Sequence, residues 1–177
     1  MKARRIIYLN FAVIALLIFI TIYQYNRIAD FESQLGHDFQ RTVRGSIFLL
    51  ESDGDPNMWT KIMQEQEGEF TLAAHIGEIT ILSRQYYMMN GKISVIGDVL
   101  DSLGNQYREL AINIKNGSDY KQNVEQINKD LKFLIPLLKE IDSISGENES
   151  RYYREFTNSE SMTSNLVWKE YKEYEKR

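Results

Sequence analysis

Apolar positions along this 177-residue chain follow two patterns: one uninterrupted run near the start, then a series of positions recurring every three or four residues. The run covers residues 6–23, IIYLNFAVIALLIFITIY, with no charged side chain and only Asn10 and Thr21 clearly polar. As a helix it extends about 27 Å, close to the roughly 30 Å hydrocarbon thickness of a bilayer. The pattern predicts a single membrane span with Ile6, Tyr8, Phe11, Leu16, Phe19 and Tyr23 among its anchoring side chains. A cleaved signal peptide has the same basic start. Cleavage, however, needs small residues just past the apolar run, where this chain has Tyr23, Gln24, Tyr25, Asn26 and Arg27. An uncleaved anchor is therefore expected, and Tyr8, Tyr23 and Tyr25 are placed to sit at the headgroup layers.

Beyond the span, Ile28, Phe31, Leu35, Phe39, Val43, Ile47 and Leu50 form an amphipathic stripe, with no proline before position 56. Span and stripe are predicted to be one continuous rod. It should stop at Glu51-Ser52-Asp53-Gly54-Asp55-Pro56, where Gly54 permits a turn, Asp55 can cap, and Pro56 suits the first position of a new helix. A second outer helix is predicted over 56–89, ending at Asn90-Gly91. Its apolar face, from Trp59 through Phe70 and Ile79 to Tyr87, is wider than a single seam, which implies deep burial or a second interface. Residues 78–82 alone are β-branched enough for a strand, but no neighbouring stretch offers a pairing partner.

The third and fourth outer helices carry the most regular pattern. Ile93, Ile96, Leu100, Leu103, Tyr107, Leu110 and Ile114 form one seam, and Tyr120, Val124, Ile127, Leu131, Leu134, Leu138 and Ile141 the other. Lys115-Asn116-Gly117-Ser118-Asp119 between them predicts an antiparallel hairpin. Gly97 and Gly104 are expected to face the small strip Ala73, Gly77 and Thr80, and Pro136 to bend the fourth helix. After Gly146 the chain turns polar, with the aromatics Tyr152, Tyr153 and Phe156 and then a short stripe at Val167, Tyr171 and Tyr174 beside Trp168. This reads as a marginal helix covering the end of the bundle. The six aromatics of the tail are its candidate partner contacts, ahead of a membrane-surface role supported by Lys169, Lys172, Lys176 and Arg177. On this reading, truncation at Gly146 leaves a folded bundle.

The predicted fold class is all-α: an N-terminal transmembrane helix continuing into an antiparallel four-helix bundle with a short, weaker C-terminal helix. The predicted divisions are 1–5 cytoplasmic, 6–23 transmembrane, 24–146 extracytoplasmic bundle and 147–177 tail. Lys2, Arg4 and Arg5 crowd the leading end without an acid among them, which sets the N-terminus in the cytoplasm and the bundle outside.

Charge narrows the partners. With those three cations set aside, 18 Lys and Arg face 25 Asp and Glu, a balance of −7 that repels phosphate backbones and makes nucleic acid an unsuitable partner. The chain has no cysteine, so neither disulfides nor a thiol nucleophile enter, and this usage fits a bacterial envelope protein. The triplets at Asn116 and Asn148 fit N-glycosylation by spacing alone, as chance allows in a chain rich in Asn and Ser.

Catalytic patterns are absent from the sequence. His75 and Glu78 share a helix face without the repeated Glu-x-x-His of di-iron bundles, and the acids at 51, 53 and 55 resemble a calcium loop only until Pro56 interrupts it. No phosphate loop or G-x-S-x-G occurs. Neither enzyme activity, cofactor nor metal is therefore expected. Two functions remain. One is a membrane-anchored interaction or assembly component acting on a protein partner or a second copy. The other is a small-molecule sensing bundle, since a span followed by such a bundle resembles in architecture, though in no residue motif, the outer domain of bacterial chemoreceptors. Those receptors carry a second span and a large cytoplasmic region, so a signal here would leave through a membrane partner. A sensor should turn polar groups such as Arg84, Gln85, Tyr86 and Tyr107 towards one pocket.

Overall fold

The computed structural model describes the backbone of residues 2–176 and the side chains of residues 10, 11 and 13–176. Lys2, Arg4, Arg5, Ile6 and Tyr8, named above for topology and anchoring, lie outside the described side chains. The described residues form seven helices and no strand: α1 (Lys2–Ser52), α2 (Pro56–Ile62), α3 (Gly68–Tyr87), α4 (Val95–Lys115), α5 (Lys121–Ser145), α6 (Glu149–Thr157) and α7 (Met162–Glu175). The architecture is an all-α helical bundle.

α1 is the expected continuous rod, 51 residues without a break. It ends where the turn chemistry requires: the Asp55 side chain accepts the Asn57 N–H at 2.9 Å and Pro56 opens α2. Gly54 has no room for a side chain, because an added Cβ would lie 2.2 Å from the Leu50 carbonyl oxygen.

The single second helix expected over 56–89 is two helices. Residues 63–67 form tight turns, with Gln64 N–H donating to the Lys61 carbonyl and Glu65 N–H to that of Ile62. Helical phase explains the break. At 100° per residue, an unbroken helix would point Trp59 about 140° away from the Leu72 face. Both side chains are buried, so the chain must reset its phase between them. Part of the over-wide apolar face in the sequence was two narrower faces out of step.

α4 and α5 form the expected hairpin, with Gly117 in the left-handed region at φ 66°. Both seams are interior: Ile93, Ile96, Leu100, Leu103, Tyr107 and Leu110 are fully enclosed, as are Ile127, Leu134, Leu138 and Ile141. α3 and α4 are antiparallel, since Glu69 pairs with Lys115 at one end while the Ser83 hydroxyl donates to the Gly97 carbonyl near the other. α5 runs back along α1, with Arg44 on Asp142 and Lys139 on Glu51. Arg44 also reaches Glu147 at 2.7 Å, holding that carboxyl below its usual range and fixing the chain as it leaves α5.

The tail departs most from expectation. It is two capped helices, Asn148 accepting the Arg151 N–H and Ser161 that of Ser164. Tyr152, Phe156 and Val167 are fully enclosed and belong to the same hydrophobic cluster as Val43, Ile79 and Leu100. α6 lies against α1, with Glu149 beside Gly36 and the Phe156 ring stacked on Phe39 at 5.4 Å. α7 then turns back along α5, bringing Tyr174 to Asp130 and Phe133.

Candidate interaction surface

The most exposed apolar part of the molecule is the first part of α1. Phe11, Leu16, Phe19 and Tyr23 project outward with nothing over them, Phe19 at 66 % exposure. The helix over Val13–Ser52 contains a window long and apolar enough to cross a membrane, and none of that window is buried.

The aromatic tail residues divide. Tyr152 donates its hydroxyl to Asp142 and packs beside Phe156, and both are enclosed, so neither can meet a partner while the bundle is folded. Tyr153 is half-buried. On α7, Trp168, Tyr171 and Tyr174 form a ladder continued by Phe133, with ring centroids 6.2, 6.3 and 4.6 Å apart. Lys172 lies over Trp168 and Lys129 over Tyr174. The Tyr174 hydroxyl donates to Asp130 at 2.6 Å, and burial pushes that carboxyl upward. The ladder is not near the apolar end of α1. Leu131, next to Asp130, packs at Gly54 beyond the far end of α1, so Tyr174 stands about 40 Å along the rod from Tyr23. α7 therefore runs away from the apolar end of α1.

At that far end lies the histidine singled out for metal chemistry. His75, 4 % exposed, stacks on Trp59 at 4.7 Å and meets the Tyr107 ring edge-on at 5.0 Å. Trp59 donates to the Asp53 carbonyl at 2.6 Å and Tyr107 to that of Gly54, so the cluster closes the α1–α2 turn. The His75 Nε2 atom has no hydrogen-bond partner. The acids of the calcium-like stretch are engaged elsewhere, Glu51 with Lys139 and Asp55 with Asn57, and no group of three metal-ligating side chains gathers among the described residues.

Burial pushes His75 down from 6.5 to about 4, opposed by the charge of Asp53. Above pH 6.5 the ring is neutral in folded and unfolded chains alike. As pH falls towards 4 the unfolded chain takes up a proton that the fold refuses, and stability should drop by about 3 kcal/mol across that window. Urea midpoints between pH 7 and 4 should therefore slope downward, and His75→Phe, which keeps the ring stacking, should flatten the slope. Asp130, shifted upward, acts with the opposite sign, so an unchanged slope in the variant would exclude His75 as its source.

The outer face of α3 and α4 presents the feature that sequence reading placed on the wrong side. Gly97 does mark a close approach: an added Cβ would lie 2.9 Å from the Ser83 carbonyl oxygen and 3.1 Å from the Tyr87 ring. Gly104 faces Ile79. Ala73 and Gly77 do not oppose them; they face outward, and nothing lies within 4 Å of a Cβ built on Gly77. There they floor an open groove of about 540 Å³ whose other walls include Ile81, Arg84, Arg108 and Ile112. Phe70 beside it is 79 % exposed and Ile81 58 %. The excess apolar width of residues 56–89 was the available signal.

The polar groups expected to converge in a sensor do not. Tyr86 and Tyr107 are enclosed and donate to Ser46 and Gly54, Gln85 accepts from Thr42, and Arg84 lies on the outer groove.

Compared with protein-family models, curated proteins and solved structures, the chain matches none. Fold and surface together define a class: an all-α helical bundle whose first helix is long and apolar enough to cross a membrane.

Proposed function

We propose that this chain is a single-pass protein of the cell membrane, with its N-terminus in the cytoplasm and its bundle outside, serving as a non-catalytic interaction or assembly component of the envelope. The observation that carries this reading is the unbroken course of α1 from the uncovered apolar segment into the core at Val43 and Leu50. A flexible linker would let the bundle drift; a continuous helix holds it upright at a fixed height. Leaving the apolar stretch in water would cost about 1.5–3 kcal/mol for each large side chain, which a bilayer removes.

Expression of the full chain with a C-terminal tag tests it. The protein should resist alkaline extraction from membranes, and protease added outside intact cells should remove the tag. A product recovered in the soluble fraction, trimmed behind Tyr23, would overturn the proposal. The sensing alternative has one feature in its favour, an amide-lined groove between α4 and α5. There Asn113, Asn123 and Gln106 bond to one another at 2.9 and 3.0 Å, so a ligand would have to displace bonds already made.

A further inference from the structure

The α3–α4 groove has an apolar floor and a charged residue of opposite sign towards each end of its α3 wall, Glu69 and Arg84. Those two positions are centred between Ile76 and Gly77, where the floor is open. The geometry points to a second copy of this chain as the occupant, docked antiparallel about a two-fold axis beside Gly77. That axis lays Arg84 of each copy over Glu69 of the other and seats Ile81 of each against Ala73 of the other. Absence of a side chain at Gly77 lets the two helices approach closely, the role small residues play where helix backbones meet.

Charge selects the orientation. A parallel pair would set Arg84 against Arg84 and Glu69 against Glu69, like charges at short range; the antiparallel pair makes two attractive contacts. Glu69 already meets Lys115, but both side chains are largely exposed and such a pair contributes little, so it yields readily. The acidic balance of the bundle opposes self-association at long range. At physiological ionic strength it is screened beyond about 8 Å, leaving the local contacts to decide.

Resting on the anchored reading above, the pairing has a consequence. α3 runs back along α1, so copies joined antiparallel through α3 send their spans out at opposite ends, and the pair links two facing membranes.

The test uses the full chain in phosphatidylcholine vesicles. Flotation reports anchoring, independently of pairing. Vesicles carrying the wild-type chain should cluster, as read by light scattering. Glu69→Arg or Arg84→Glu alone should reduce clustering about tenfold, and the double variant E69R/R84E should restore it. Because the chain has no cysteine, mixing an E69C population with an R84C population should give a disulfide-linked pair on mild oxidation, while R84C alone should not. Vesicles that float with the protein yet stay dispersed would overturn the pairing, as would a double variant no better than the singles or efficient crosslinking of R84C to itself. If the chain fails to float, the anchor fails instead, and the same crosslinks read by sedimentation in solution still decide the pairing.

Discussion

Removal of residues 147–177 is expected to abolish the cooperative fold. The deletion takes away three fully enclosed hydrophobic side chains, Tyr152, Phe156 and Val167, and uncovers what they cover, including Phe39 on α1. It also strips Asp142 of the Tyr152 hydroxyl, Asp130 of Tyr174, and Asn90 of its bond to the Phe156 carbonyl at 2.6 Å. Each enclosed side chain is worth about 1.5–3 kcal/mol of burial, and the exposed partner surfaces roughly as much again, a loss on the order of 10 kcal/mol. Domains of this size are stable by about 5–15 kcal/mol, so little or nothing remains. The truncated chain should keep much of its far-ultraviolet helical signal while losing a cooperative melt and binding a hydrophobic dye. A gentler version is Phe156→Ala, expected to cost about 3–5 kcal/mol and to lower the thermal midpoint by about 10 °C or more. A truncated chain melting like the full one would show that α6 and α7 are dispensable.

That outcome reverses what composition suggests about the tail, and the reason is physical. Over residues 147–164 the enclosed aromatic residues Tyr152 and Phe156 stand among many Asn, Ser, Thr and Glu, and averaged polarity conceals a narrow apolar stripe four residues apart. Short helices laid on a preformed surface need few apolar positions, because the longer helices supply the rest of the core. Where burial is shared evenly between partners, as along Ile93–Leu110 and Ile127–Ile141, period alone revealed both helices and their inward faces. Local chemistry was equally readable at Asp55-Pro56 and at Gly117. The break at 63–67 was hidden because it comes from a conflict of phase between Trp59 and Leu72, with no proline to mark it. Of the candidate surface, the exposed α1 residues were legible. The groove at Gly77 was not, since periodicity finds small residues without telling which neighbour they face.

Gly36→Ala should destabilise the protein although it improves the helix. Both Gly36 and Gly45 lie inside α1, where exchanging glycine for alanine ordinarily gains about 0.5–1 kcal/mol. At Gly45 nothing lies within 4 Å of the new methyl group, so Gly45→Ala should raise the thermal midpoint by a few degrees. At Gly36 the same methyl would fall 1.9 Å from the Glu149 carbonyl oxygen and 2.6 Å from its carbonyl carbon. These are backbone atoms at the first turn of α6 and cannot rotate aside. α6 would have to retreat, pulling Glu149 from Ser33 and His37 and loosening Phe156 from Phe39. Overpacking of this kind costs about 1–3 kcal/mol and exceeds the helix gain, so the midpoint should fall by several degrees. Opposite signs at two glycines of one helix separate the two causes: propensity acts at both positions, whereas contact with α6 acts only at Gly36. If both variants stabilised equally, α6 would not be seated against α1 at this point, and the loss expected on removing the tail would shrink with it.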